Sequence, residues 1–235
     1  MTKIDRRTTA LIAIDMQRDF LDPGGYAATA GLDVTLLRGA IPGVKRLLAA
    51  ARSAGIVVVH TRECNSPDLS DVPPAFADAT SRSGAPVGSP GPLGRLLVRG
   101  EPGVQIIDEL SPIHGEIVID KPGFSAFEST PLSMILTSRG VRNLILCGIT
   151  TEVCVSSTLR TAIDRGYRCI TVSDACASSY PDLHDASMRM IEVEGGIFGI
   201  VSHVDDVVSA LLDEGAGGGG GGGGRLGERR RDDQK

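Results

Sequence analysis

Short, almost wholly apolar runs alternate along the chain with longer amphipathic ones. "TALIAI" (9–14), "IVVVH" (56–60), "GEIVID" (115–120), "NLILCGI" (143–149), "RCITVSDA" (168–175) and "GIFGIVS" (196–202) have strand length. Apolar runs without a two-residue alternation read as strands buried on both faces. "LLRGAIPGVKRLLAAARSAG" (36–55), "PLSMILTSRG" (131–140), residues 151–165, "DLHDASMRMIEVEG" (182–195) and "VDDVVSALLD" (204–213) carry helical spacing instead, and the first closes on a glycine cap. Six strands alternating with helices predict an α/β fold. It is a three-layer α/β/α arrangement with a six-stranded, mostly parallel, Rossmann-like sheet and right-handed crossovers.

Two stretches break the pattern. Residues 61–104 are rich in Pro, Gly and Ser, and a loop of that length in a compact domain is functional or disordered. From Gly215 the chain reads "GAGGGGGGGGRLGERRRDDQK". Poly-glycine has nothing to bury and the most backbone entropy to lose. The expected organisation is one domain over 1–214 and a disordered, Arg-containing tail over 215–235.

Composition then narrows the function. A formal charge of −5 and the absence of Trp argue against a nucleic-acid or charged-membrane partner. The opening "MTKIDRRTTALIAID" lacks the pattern of a signal peptide, and no apolar run reaches the roughly 18 residues of a membrane span. Five cysteines without paired-motif spacing are expected to be free thiols in a cytoplasmic protein.

In open parallel sheets the site lies outside the carboxyl ends of the strands. Asp15 follows the first apolar run, Lys121 follows "EIVID", and Cys154 opens the helix after "NLILCGI". Each has an ordinary reading as a cap, a solvated lysine or a small buried residue. On one sheet edge they form a nucleophile set. Unpaired N–H groups and the helix dipole favour a thiolate at a helix start. Asp15 accepts the thiol proton in this reading and Lys121 compensates the anions. Phe20, Tyr26, Phe124 and Phe127, four of only eight aromatic residues, follow the same two strands and suit a small planar ligand. Arg62 and Glu63, after the second run, are candidates for polar substrate ends or a salt bridge. The other four cysteines read as small buried residues.

"LIAIDMQRDFLDPGGY", "IDKPGFSAF" and "CGITTEVCVSSTLRTAIDRGYRCITVSDACAS" resemble the isochorismatase-like cysteine hydrolases over roughly residues 8–212. The resemblance implies an Asp15–Lys121–Cys154 triad. It also implies a cis peptide at Ile149–Thr150, with the Thr150 and Cys154 N–H groups as oxyanion donors. True isochorismatases lack the cysteine. Nicotinamidases add a metal site of one Asp and two His, whereas His60 stands alone in "VVVHTRECNSPDLSDVP", so no metal and no other cofactor is expected. "HTRECNSPDLSDVP", "PGPLGRLLVRGEPGVQIIDEL" and "EGGIFG" look most like biuret hydrolase, and "FSAFESTPLSMIL" is also similar to ureidoacrylate amidohydrolases. The biuret enzymes carry a substrate-binding glutamine where this chain has Glu194, which accepts hydrogen bonds only and favours substrates presenting N–H groups. The expected protein is a homo-oligomeric (dimeric or tetrameric) amidohydrolase of a small ureido compound or amide. The alternatives are a nicotinamidase-like amidase and a non-catalytic binding module of the same fold. A thiol redox protein is disfavoured because no C-x-x-C occurs.

Overall fold

The computed structural model describes residues 4–213, so the glycine-rich tail over 215–235 lies outside the described residues. Six strands form one sheet: β1 (Thr9–Ile14), β2 (Val57–Glu63), β3 (Ile117–Lys121), β4 (Asn143–Ile149), β5 (Arg168–Ala177) and β6 (Ile200–Ser202). Their order is β3-β2-β1-β4-β5-β6, and every neighbouring pair is parallel. Chain order runs outward from β1 in one direction and from β4 in the other. The crevice therefore opens beyond the carboxyl ends of β1 and β4.

The major helices are α1 (Ile41–Ala54), α2 (Leu132–Ser138), α3 (Ser156–Asp164), α4 (Pro181–Ile191) and α5 (Val204–Leu212). Two hydrophobic clusters show which face each covers. Leu11 and Ala13 pack with Leu47 of α1 and Leu211 of α5. Ala10, Ile12 and Ile14 pack with Leu136 of α2, Leu159 of α3 and Met188 of α4. Alternate residues of β1 face opposite layers, and both layers are dry, which is why the run is apolar throughout.

The expected helix over 36–55 is instead two, Val34–Arg38 and Ile41–Ala54. Pro42 lacks the N–H that would bond back to the preceding turn, so it opens a new helix rather than continuing one. β2 runs on to Glu63, three residues past the predicted end. The 61–104 stretch is also more ordered than its composition suggests. It holds a helix, Pro74–Arg82, and a short antiparallel pair, Pro90–Gly91 with Gly94–Arg95. Asp19, 1 % exposed, ties this segment down by accepting from the N–H groups of Leu97 (3.0 Å) and Tyr26 (3.3 Å). Among the described residues no helix is long and apolar enough to cross a membrane.

One glycine sets how closely the two central strands meet. Gly148 in β4 has φ +118°, and a Cβ there would lie 2.1 Å from the carbonyl oxygen of Ile14. Only glycine lets the backbone leading to Cys154 approach the end of β1 this closely.

Candidate active site

Asp15 sits directly beyond β1 with φ 51°, in the left-handed region that non-glycine residues rarely adopt. Two bonds with Thr61 hold it there. The Asp15 N–H donates to Thr61 Oγ1 (3.2 Å), and the Thr61 hydroxyl donates to Asp15 Oδ1 (2.6 Å). Lys121 is the last residue of β3. Cys154 lies in a five-residue π-helical turn, Thr151–Val155, that runs into α3. Such turns recur at functional sites. The Ile149–Thr150 peptide is cis. On the far side of the turn the Thr151 hydroxyl lies 2.9 Å from His184 Nδ1 of α4.

These elements bring Asp15, Lys121 and Cys154 together, and with them Glu63. Lys121 Nζ lies 2.8 Å from Asp15 Oδ2, in ionic contact without the alignment of a directed hydrogen bond. It donates to Glu63 Oε2 (3.2 Å), to Cys154 Sγ (3.5 Å) and to the carbonyl of Gly123 (2.8 Å). The Cys154 thiol donates to Glu63 Oε2 at 3.2 Å. Asp15 and Lys121 are 0 % exposed, Glu63 3 % and Cys154 4 %. The acceptor atoms of Asp15, Glu63 and Cys154 lie within 4.8 Å of one another, and the Lys121 ammonium contacts all three.

Burial and charge set the protonation states. Burial pushes the Glu63 carboxyl up, and the Asp15 charge adds to this while Lys121 opposes it. Burial also pushes the Cys154 thiol well up, again opposed by Lys121 and reinforced by the two carboxylates. Desolvation outweighs the Lys121 charge at the thiol and works against the thiolate that a helix start favours. For Lys121, burial alone would lower the ammonium, but Asp15, Cys154 and Glu63 outweigh it and the net shift is upward.

The remaining sequence candidates separate. In the β2–β3 register Glu63 faces Lys121 and Arg62 faces Asp120. Successive strand residues point to opposite faces, so Glu63 enters the site and Arg62 leaves it. Arg62 binds Asp120 (2.7 Å) and Gln105 (3.2 Å) instead of facing the thiol. Phe127 packs on Tyr167, ring centroids 5.7 Å apart, inside the core of the α2–α3–α4 face. Phe20 is buried in the opposite cluster, edge-on to Tyr26 at 5.6 Å. Tyr26 reaches toward the site: burial raises its phenol, a hydrogen bond with Ser83 lowers it, and the charges of Glu63 and Cys154 raise it further. Phe124 stays half exposed and meets Phe76 edge-on at 5.4 Å. The Pro74–Arg82 helix and its cap thus link the two remaining rings, Tyr26 and Phe124. Glu194 sits exposed on a turn with φ 52° and takes no part in the buried cluster. His60 is buried on β2 and paired with Glu116 (3.0 Å), as a packed histidine rather than a member of the cluster.

Thr61, Gln17 and Gly123 carried no flag in the sequence. Gln17 brackets the end of β2, accepting from the Glu63 N–H (2.6 Å) and donating to its carbonyl (3.0 Å). Recognising that β2 continues to residue 63 would have placed Thr61 and Glu63 on one face. A cleft of about 680 Å³ opens at the other sheet edge, lined by Asp5, Arg142, Tyr167 and Arg168. It has volume but no base beside a nucleophile, and its one thiol, Cys169, is pushed up to about 12 by burial.

A doubly wound α/β sheet with a thiol, an ammonium and two carboxylates buried at its switch point has the layout of a hydrolase. The isochorismatase domain matches residues 9–206, and the chain belongs to the isochorismatase family. A cysteine hydrolase from Pseudomonas syringae pv. phaseolicola 1448A is 28 % identical with a TM-score of 0.77, over 90 % of this chain and 95 % of that one. An isochorismatase family protein from Desulfovibrio vulgaris subsp. vulgaris str. Hildenborough is 32 % identical with a TM-score of 0.71, over 86 % and 99 %. N-carbamoylsarcosine amidase from Thermoplasma acidophilum is 26 % identical with a TM-score of 0.64, over 84 % and 97 %.

Proposed function

We propose that the protein is a metal-independent cysteine amidohydrolase. It cleaves a C–N bond of a small ureido compound or amide and releases ammonia, with biuret-like substrates first and ureidoacrylate or N-carbamoyl compounds second. The observation that carries this reading is the buried Cys154 thiol in contact with both an ammonium and a carboxylate. An amidase among the similar structures supports the reaction class. The thiol loses its proton to a neighbouring carboxylate as Sγ attacks the carbonyl carbon, and Lys121 compensates the charge that develops. The Thr150 and Cys154 N–H groups hold the oxyanion, each donor of this kind contributing about 3 kcal/mol. Collapse expels the protonated nitrogen, and water then hydrolyses the covalent intermediate. Metal independence rests on Lys121, whose ammonium already stands among the donor atoms a divalent ion would need.

Self-association belongs to the same reading. Leu183, Met190, Val193 and Ile197 are exposed along and just beyond α4, an apolar strip of the kind that marks an interface. Sedimentation equilibrium of the full chain is expected to show a dimer or tetramer, and a monomer at all concentrations overturns it.

The function is tested by ammonia release from biuret, triuret, ureidoacrylate, N-carbamoylsarcosine and nicotinamide, with Cys154→Ser as the blank. Cysteine-dependent release from a ureide is expected. Turnover of nicotinamide alone transfers the protein to the nicotinamidase-like class. Ammonia release that survives in Cys154→Ser removes the covalent mechanism.

A further inference from the structure

We propose that Glu63 selects the substrate by charge, admitting uncharged or cationic ureides and amides that present N–H groups and keeping out those that carry a carboxylate. The inference rests on the cysteine-nucleophile reading above and names the substrate class within it.

A carboxylate stands where a ligand must pass. Asp15 and Lys121 have no exposed surface, whereas Cys154 keeps 4 % and Glu63 3 %. A molecule that reaches Sγ therefore meets Glu63 beside it, with Oε2 3.2 Å from the sulfur. Among the described residues the bonds to this carboxylate, from the Lys121 ammonium and from the thiol, fall on Oε2. Oε1 is left to accept from a ligand. Gln17 brackets the Glu63 backbone and the strand register sets it against Lys121, so the side chain enters the site from a fixed base. The sequence placed an acceptor for substrate N–H groups at Glu194, which lies outside the cluster. Glu63 supplies that acceptor from inside.

The charges do not cancel. Two carboxyl groups, Asp15 and Glu63, share one ammonium, Lys121. No second cation is at hand for the one left over. Arg62 and Arg99 are both held on Asp120, in the rung beside the site. Arg82, at the end of the Pro74–Arg82 helix, is exposed, and solvent screens it. A substrate carboxylate would add a third negative group to a dry cluster, and Glu63 would have to take up a proton to admit it. The field already works in that direction, since burial and the Asp15 charge both raise the Glu63 carboxyl. An N–H group meets the opposite field and gives Oε1 a donor. The site is thus matched to molecules of the biuret type, whose ends are amides, and mismatched to N-carbamoyl amino acids, which end in an acid.

The test compares alkylation of Cys154 by iodoacetamide and by iodoacetate, reagents close in size that differ by one charge. Each forms a C–S bond with loss of iodide, and the mass of the Cys154 peptide gives the rate. The amide-to-acid rate ratio is measured in the folded protein and, as its own reference, in the urea-unfolded chain. The folded ratio is expected to exceed the unfolded one by about a hundredfold, the size of like-charge repulsion at close range in a partly dry site. Glu63→Gln is expected to cut that excess to about tenfold or less, whatever it does to the absolute rates. Equal ratios in the folded and unfolded wild type overturn the proposal, as does an excess that Glu63→Gln leaves intact. Both of these outcomes leave Cys154 reactive and the nucleophile reading standing. Should Glu63→Gln fail to fold, Glu63→Ala carries the same comparison. A folded Cys154 that reacts with neither reagent is a separate outcome: the nucleophile reading fails, and the proposal falls with it.

Discussion

Lys121 has no solvent-exposed surface, yet it carries a full charge into the interior. It is stable there because Asp15, Glu63 and the Gly123 carbonyl replace its water. Lys121→Met would strand two carboxylates without a cation. Urea unfolding at pH 7 is expected to show a loss of about 3–5 kcal/mol, the range for breaking a buried ion pair. The loss should shrink as the pH is lowered, because the Glu63 carboxyl, raised by burial, takes up a proton sooner than an ordinary carboxylate. Thr61→Val removes the hydroxyl that orients Asp15. A stability loss of about 1–2 kcal/mol is expected in the same assay, since a buried acceptor is left unpaired. The three residues that follow apolar runs were legible because strand ends mark the site in this architecture. Thr61 and Gln17 were not, since ordinary residues gain their roles only when two chain segments meet.

At the scale of elements, the central strands were legible because each is covered on both faces and leaves an uninterrupted apolar signature, while the edge strands β3 and β6 keep Val118 and Ile200 exposed. The end of β2 was hidden because "TRE" is polar: its last residues serve the site and an outer ion-pair network instead of the core. The Pro74–Arg82 helix was hidden by the prolines that flank its start. The contact of β4 with β1 carries its own prediction. Gly148→Ala would place a methyl group on the Ile14 backbone and demand a positive φ from alanine. Thermal unfolding is expected to show a loss of about 2–4 kcal/mol, with the strained backbone and the overpacking both contributing. A melting temperature unchanged from the wild type would mean that the strands part without cost.

For the whole molecule, α1 is fastened to the sheet by a polar network under its surface. Arg52 donates to Glu116 (2.8 Å), and Glu116 Oε2 also accepts from His60 Nε2 (3.0 Å). Glu116 is held down to about 2, because its bonds with Arg52, Ile113 and His60 outweigh the effect of burial. A depressed carboxyl contributes stability above its unfolded value, and that contribution is lost as pH falls through the window from 4.5 to about 2. Burial lowers His60, so the unfolded chain takes up a proton there that the folded chain refuses, and stability also declines below about 6.5. Melts in Glu116→Gln are expected to flatten between pH 5 and pH 3, where the wild type continues to fall by about 2 kcal/mol. This network left no trace in the sequence, because Arg52, His60 and Glu116 lie on three separate stretches of chain, α1, β2 and the turn before β3.

The two adjacent rungs that join β2 to β3 work in a fixed frame. Glu63 with Lys121 forms the rung that enters the site, and Arg62 with Asp120 forms the one beside it, which Arg99 also grips from outside. A slip of one residue in either strand would exchange them, turning an arginine into the cavity and the Glu63–Lys121 pair out to water. The outer ion pairs therefore act as a latch on phase, and the chemistry tolerates point changes far better than it tolerates a change of count. A single-residue deletion within β2 or β3 should silence the protein, while one of the same size in the turns between residues 83 and 90 should leave it active.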